Sequence, residues 1–409
     1  MVRGMNDHIV KVDEGTISTP AGFSVAGLHS GVKRKRNDLG IIYCETQADV
    51  AAVFTTNVIQ AAPLKITKEG LAKTGKLQAL IVNSGNANAC TGEQGEHDAR
   101  AMRDETAKQF NVLPEHVAVS STGIIGLAMP MDKIIPHIKQ LKPEATTVSA
   151  HAFNEAMLTT DTVNKSTCYE AVIANKKVLM AGAAKGSGMI EPNMATMLSF
   201  ITTDINIESA VLQKALTEIT NQTFNCITVD GDTSTNDTAL IMASGLANND
   251  SLTPAHEDWP IFLSLLRHTC EDLAKLIARD GEGATKLIEV EVNGALDNEE
   301  AIQVAKSVVG SSLVKTAVYG TDANWGRMIA AIGYSGAHIH PETIDLSIGP
   351  IPLLQDSQPV EFSEAEATAY LENEEIIISI QLHVGEGNGK AWGCDLTYDY
   401  VQINASYRS

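Results

Sequence analysis

A hydroxyl residue set between a glycine-rich turn and an apolar strand has the makings of a self-cutting site, and residues 185–204, KGSGMIEPNMATMLSFITTD, put Thr196 in that position. Gly186 and Gly188 reach backbone angles closed to other residues, and Pro192 keeps the approach to Ala195 bent and non-helical. Residues 197–203 read as a short apolar strand with β-branched members. A peptide held taut there exposes the Ala195 carbonyl to the Thr196 hydroxyl. Attack shifts the acyl group from nitrogen to oxygen, and water completes the cut. The new chain begins with threonine and carries its own base, because an α-amine titrates near about 7.7–8.0 and is partly neutral at pH 7. On residue types alone, an ordinary turn entering a core strand fits equally well.

Acyl transfer also needs donors aimed at the oxyanion of the tetrahedral intermediate. Ser120-Ser121-Thr122-Gly123 follows a short strand at 116–119, where a glycine lets N–H groups turn inward. From residue types a strand-ending turn is the plainer reading. Other patterns are weaker. Residues 230–241 open like a calcium loop, but the sixth position is Thr235 instead of glycine and the twelfth is Ile241 instead of glutamate. The Asp230-Gly231-Asp232 run lacks the remainder of an aspartyl-phosphate phosphatase motif. Lys33-Arg34-Lys35-Arg36 reads as a solvated loop, and a contact for coenzyme A phosphates there rests on charge alone. His338 and His340 alternate in a strand-like segment and read as surface histidines, with no metal site.

The elements that must position these residues mix both kinds. Strands are predicted at 39–43, 51–54, 77–82, 117–119 and 224–229, with helices at 95–110, 132–140, 207–220 and 260–279. After Gly283 the texture changes, with alternating strands at 286–292 and 378–384, a helix at 299–309, a turn at 385–389 and a final strand at 396–403. The acidic stretch 361–375 reads as an exposed helix or loop. No regular strand–helix beat is present, which favours α+β layers.

At 409 residues the chain fits two units, or one large folded unit with an appended one. Thirty Lys and Arg against fifty Asp and Glu leave a net charge of −20, which argues against nucleic acid or an anionic membrane as partner. Six scattered cysteines without a C-x-x-C pair suit reduced cytosolic thiols. The first residues lack a signal-peptide core, and no apolar run approaches the roughly 20 residues of a membrane helix, so a soluble, cytoplasmic protein is expected.

Met194-Ala195-Thr196-Met197-Leu198 closely resembles the self-processing site of the glutamate N-acetyltransferase/ornithine acetyltransferase family, the acetyl-recycling enzymes of arginine biosynthesis. The likeness extends through NSGNANACTG (83–92), SSTGIIG (120–126), VDGDTSTND (229–237) and GTDANWGRM (320–328) over essentially the whole chain. It implies a layered α-β-β-α sandwich like that of N-terminal-nucleophile enzymes, with a smaller C-terminal α/β domain. The cut between Ala195 and Thr196 divides the chain into 1–195 and 196–409, with the core continuing to 284 and the C-terminal domain at 285–409. The resemblance also implies Thr196 as nucleophile, Thr122 and Gly123 as the oxyanion hole, and Thr159, Lys185, Thr196, Glu282, Asn404 and Ser409 as substrate-binding residues. Lysine with hydroxyl and amide donors suits a substrate carboxylate, and Glu282 suits its ammonium. Ser409 departs from the family's usual threonine and is the last residue given. The implied reaction is ping-pong transfer of acetyl from N-acetylornithine to glutamate through acetyl-Thr196, without metal or organic cofactor, with acetyl-CoA as an alternative donor in bifunctional members. Paired α and β chains, two of each, are the implied assembly. An aminopeptidase or amidase of similar fold, and a non-catalytic amino-acid-binding protein, are the rival readings.

Overall fold

The computed structural model describes residues 9–191 and 197–406, and within them the chain builds two sheets with helices packed on both. The first ten strands are β1 (Ile9–Lys11), β2 (Phe23–Leu28), β3 (Leu39–Phe54), β4 (Lys76–Asn86) and β5 (Val117–Ile124), then β6 (Lys165–Ile173), β7 (Lys176–Lys185), β8 (Leu198–Thr203), β9 (Ile227–Thr228) and β10 (Thr238–Ala243). All but β9 form one sheet in the order β1-β6-β7-β8-β10-β3-β4-β5, with β2 paired to β3. The two strands predicted at 39–43 and 51–54 are the ends of the single long β3. The polar residues between them lie in an irregularity of the β3–β4 ladder instead of a turn.

Six helices serve this sheet: α1 (Ala62–Thr74), α2 (Gly92–Phe110), α3 (Met131–Ile138), α4 (Thr147–Met157), α5 (Ser209–Gln222) and α6 (Trp259–Arg279). Period-two alternation divides the strand side chains between cores. Leu39, Ile41, Ile81 and Val119 pack with Met102 of α2 and Ile134 of α3. Ile42, Leu80, Phe200 and Leu240 pack with Phe153 and Met157 of α4. Met180 and Ile201 meet Leu216 of α5 and Leu273 of α6. Each such fully buried side chain contributes about 1.5–3 kcal/mol.

The second sheet runs β14-β13-β12-β15-β11-β16-β9. Its later strands are β11 (Leu287–Ala295), β12 (Asp345–Ile348), β13 (Ile351–Gln355), β14 (Gln358–Pro359), β15 (Glu375–Gln381) and β16 (Gly387–Cys394). Its helices are α7 (Asn298–Gly310), α8 (Ser312–Tyr319), α9 (Trp325–Gly333), α10 (Glu364–Leu371) and α11 (Tyr398–Ser406). Residues 224–229, expected as a strand, begin with a 3-10 turn at Phe224–Cys226, leaving only β9 to pair with β16. The 385–389 turn and the 396–403 strand are also revised. Gly387 and Gly389 belong to β16, where α7 lies flush on the strand: a Cβ at Gly387 would sit 2.2 Å from the Asp297 carbonyl carbon, and one at Gly389 2.6 Å from the Ile302 nitrogen. These glycines, which read as a turn, mark a close helix approach. Beyond Cys394, the Thr397 side chain accepts from Tyr400 N at 3.4 Å and starts α11 as an N-cap does. No helix among the described residues is long and apolar enough to cross a membrane.

Candidate functional site

The connection from β7 to β8 leaves and returns at neighbouring points, because Lys185 and Leu198 are partners in that antiparallel ladder. Its outgoing limb is pinned in three places. Gly186 N donates to Asp161 Oδ1 at 2.7 Å, Met189 N and Ile190 N donate to the two oxygens of Asp230 at 2.7 and 2.8 Å, and Thr233 Oγ1 donates to the Glu191 carbonyl at 2.9 Å. On the returning limb, Thr238 N donates to the Met197 carbonyl at 3.0 Å. Ala195 and Thr196, the expected cleavage pair, lie outside the described residues, as does Ser409. The VDGDTSTND stretch thus anchors the outgoing flank of 192–196 and Thr238, the residue after it, the returning one, while Asp230 holds main-chain N–H groups where a calcium loop would hold an ion. Asp230→Ala would leave two N–H groups without their acceptor. Ile190 is buried and Met189 exposed, so the expected cost is about 1–3 kcal/mol, from the Ile190 donor, with slower cutting. Thermal melting and a denaturing gel check this, and a variant matching wild type in both would remove Asp230 from the role.

Beside this frame lies a cavity of about 170 Å³ lined by Thr122, Gly123, Thr159, Lys185, Glu282 and Asn404 among others. All six were singled out from the sequence, and the fold gathers them from widely separated elements. Thr122 and Gly123 stand inside β5, which continues past the expected turn because Gly123 lies against Gly85 of β4. A Cβ on Gly123, whose φ is +131°, would sit 2.4 Å from the Gly85 carbonyl carbon and 2.6 Å from Asn86 N, so only glycine fits. The NSGNANACTG stretch supplies that partner. Its Asn83 accepts from Ser121 Oγ at 2.6 Å, while Asn236 Nδ2 donates to the carbonyls of Ala87 and Ser121 at 2.6 and 2.8 Å.

Lys185 is buried and donates to Thr122 Oγ1 at 3.2 Å. Burial pushes its pKa down, while the carboxylates of Asp161, Asp237 and Glu282 oppose that shift. Glu282 is also buried. Its Oε2 accepts from Asn404 Nδ2 at 2.7 Å, its N–H donates to the Ser187 carbonyl at 3.1 Å, and a Cβ on Gly188 would meet its carboxylate at 2.4 Å. A cavity with one ammonium at Lys185 and carboxylates at Asp237 and Glu282 suits a small ligand bearing both charges.

Beneath the cavity is a charged network that sequence reasoning missed. Lys165, fully buried, donates to Asp161 Oδ1 at 2.7 Å and pairs with Asp280. Asp280 also takes Thr162 N and Oγ1, and its carbonyl accepts from Ser187 Oγ at 2.7 Å. Asp161 takes Thr159 N at 3.0 Å. Burial alone would raise the Asp161 pKa, but the Lys165 and Lys185 ammoniums outweigh it and hold the carboxyl at about 2. The network ties together the loop bearing Thr159, the turn after Lys185 and the loop bearing Glu282. In sequence, Asp161 and Lys165 are indistinguishable from an exposed i, i+4 pair.

The ArgJ family model matches residues 24–409. The arginine biosynthesis bifunctional protein ArgJ of Halalkalibacterium halodurans is 62% identical over 403 residues, and that of Geobacillus kaustophilus 61% over 402, each match covering 98% of both chains. A crystal structure of an arginine biosynthesis bifunctional protein ArgJ from Bacillus halodurans is 67% identical with a TM-score of 0.51, over 52% of this chain and 100% of its own.

Proposed function

The chain belongs to the ArgJ family, and from that premise we propose that it is a self-cleaving acetyltransferase of arginine biosynthesis that carries acetyl from N-acetylornithine to glutamate. The observation that carries the reading is the single cavity in which Thr122, Gly123, Thr159, Lys185, Glu282 and Asn404 converge beside the anchored flanks of 192–196. In the first half-reaction the Thr196 hydroxyl attacks the acetyl carbonyl while its α-amine takes the proton, and ornithine leaves with that proton on its nitrogen. In the second, the glutamate amine attacks the acetyl ester and restores the hydroxyl. Thr122 and Gly123 hold the oxyanion in both halves. Lys185, with Thr159, receives the amino-acid carboxylate, and Glu282, held in place by Asn404 Nδ2, receives the ammonium. Acetyl-CoA is the second donor, and no metal or organic cofactor takes part.

The cut before Thr196, the association of the two resulting chains, an assembly of two such pairs, and a cytoplasmic location belong to the same proposal. Support for the cut comes from the solved relative. Its chain matches in full yet spans 52% of this one, about the share running from Thr196 to Ser409. The direct test supplies purified protein with acetylornithine and glutamate. Ornithine and N-acetylglutamate should appear together, whereas ornithine and free acetate would point to a hydrolase and overturn the reading.

Glu282→Gln keeps size and one acceptor but removes the charge. Charged hydrogen bonds contribute about 1.5–3 kcal/mol, so KM for acetylornithine should rise roughly tenfold to a hundredfold. Steady-state kinetics on correctly cut protein measures it. Wild-type turnover and KM would take Glu282 out of the site.

A further inference from the structure

The run Lys33-Arg34-Lys35-Arg36, a solvated loop by its residue types, sits in the link between β2 and β3 and is fastened to the rim of the catalytic cavity. Lys33 Nζ donates to the carbonyls of Glu155 and Leu158 at 3.3 and 2.9 Å, and Arg36 Nη1 donates to the Asp161 carbonyl at 3.1 Å. Those bonds dock the loop on the segment that carries Thr159 into the cavity. A second tether lies on the other side, where the Lys33 stem packs against Gly85, the ladder partner of Gly123. Arg34, Lys35 and Arg36 are exposed, and among the described residues none of the four cations forms an ion pair. The nearest carboxylates are occupied. Asp38 takes Ser30 N, Ser30 Oγ, Gly31 N and Lys33 N, and Asp161 takes Lys165, Gly186 N and Thr159 N. Glu155 of α4 faces the loop through Asn37 N, at 3.4 Å. Four adjacent cations without carboxylate partners, in a chain of net charge −20, form a local positive field at the entrance to an acyl-transfer site.

The cavity holds about 170 Å³ and presents two carboxylates, Asp237 and Glu282. Its ammonium and carboxylates suit an acylated amino acid, and the two carboxylates repel phosphate. A polyanionic acyl donor must therefore keep its phosphates outside and send in only its acyl end. We propose that the Lys33–Arg36 loop is the docking site for the phosphates of a nucleotide acyl thioester, acetyl-CoA, whose extended pantetheine arm delivers the acetyl group past Thr159. The proposal rests on the acetyltransferase reading above. In the transfer the thioester C–S bond breaks as the Thr196 ester forms, and the hydroxyl proton ends on the departing thiol.

The experiment uses a variant with Arg34→Ala and Lys35→Ala, two exposed positions with no described role in holding the loop, and compares three donors with glutamate as acceptor. With acetyl-CoA, KM should rise about three- to tenfold, the scale of two or three exposed charge pairs, and the rise should shrink at high salt. With acetylornithine, KM and kcat should stay at wild-type values. Acetyl-dephospho-CoA, which lacks the 3′-phosphate, should be the poorer thioester for wild type, and that handicap should narrow in the variant. An unchanged KM for acetyl-CoA, or an equal loss with acetylornithine, overturns the docking site. Wild type that uses acetylornithine but neither thioester also overturns it while leaving the transferase reading intact. Wild type that uses no donor removes the reading beneath it.

Discussion

Thr196→Ala is expected to leave the protein as one full-length chain and to abolish transfer, while wild type separates on a denaturing gel into residues 1–195 and 196–409. The cut needs a hydroxyl next to a carbonyl in a segment whose ends cannot relax, and the flanks supply that restraint. Gly186, Met189, Ile190 and Glu191 are each bound by a side chain from a distant element, and Met197 is held by Thr238. Alanine removes the nucleophile for cutting and, with it, the nucleophile for catalysis. The loss of turnover should approach the roughly 10⁶ that follows deletion of an enzyme nucleophile. Thr196→Ser keeps a hydroxyl and should still cut, at an altered rate. Alanine at 196 removes none of the bonds just named, so the variant should still melt as a folded protein. N-terminal sequencing of wild type that finds no chain starting at Thr196 would sink the central claim.

What could be read from the sequence divides along a physical line. Residue types alone left Thr196 balanced between a self-cutting site and an ordinary turn entering a strand, and the family resemblance tipped that balance. Thr122, Gly123, Thr159, Lys185, Glu282 and Asn404 came from the family resemblance; nothing in spacing alone brings residue 122 beside residue 404. The longer amphipathic helices α2, α5, α6 and α7 were legible from period. Tertiary packing hid the rest. Glycine at 387 and 389 signals a turn in any local reading, yet here it admits the backbone of α7. Leu396, Tyr398 and Tyr400 alternate as a strand does, but Thr397 caps a helix instead. The Asp161–Lys165–Asp280 network was invisible for a related reason: a buried charge carries no mark in the sequence, and only its partners' positions distinguish it from a surface one. Such a network stabilises little by itself, since desolvation offsets the attraction between charges. Its consequence here is that three loops bearing site residues share one set of bonds and hold a common geometry.

The second large effect is expected at Thr122. Its Oγ1 already accepts from Lys185 Nζ at 3.2 Å, so the hydroxyl proton is free to donate elsewhere, and the cavity is where it faces. A donor fixed in place before the reaction stabilises the oxyanion without reorganisation, and losing one such donor costs about 10²–10³ in kcat. Thr122→Val is the informative change, because valine keeps the shape and suits β5 while deleting the hydroxyl. Gly123→Ala, by contrast, drives a Cβ into the β4 backbone and would report on folding. The KM for acetylornithine should move less than kcat, because the oxyanion forms only after binding. Thr122→Ser restores the donor with less bulk and should recover most of the rate, which a packing defect would not do. If Thr122→Val turns over at the wild-type rate in cut, folded protein, the hydroxyl is not an oxyanion donor, and the Gly123 main chain must act without it.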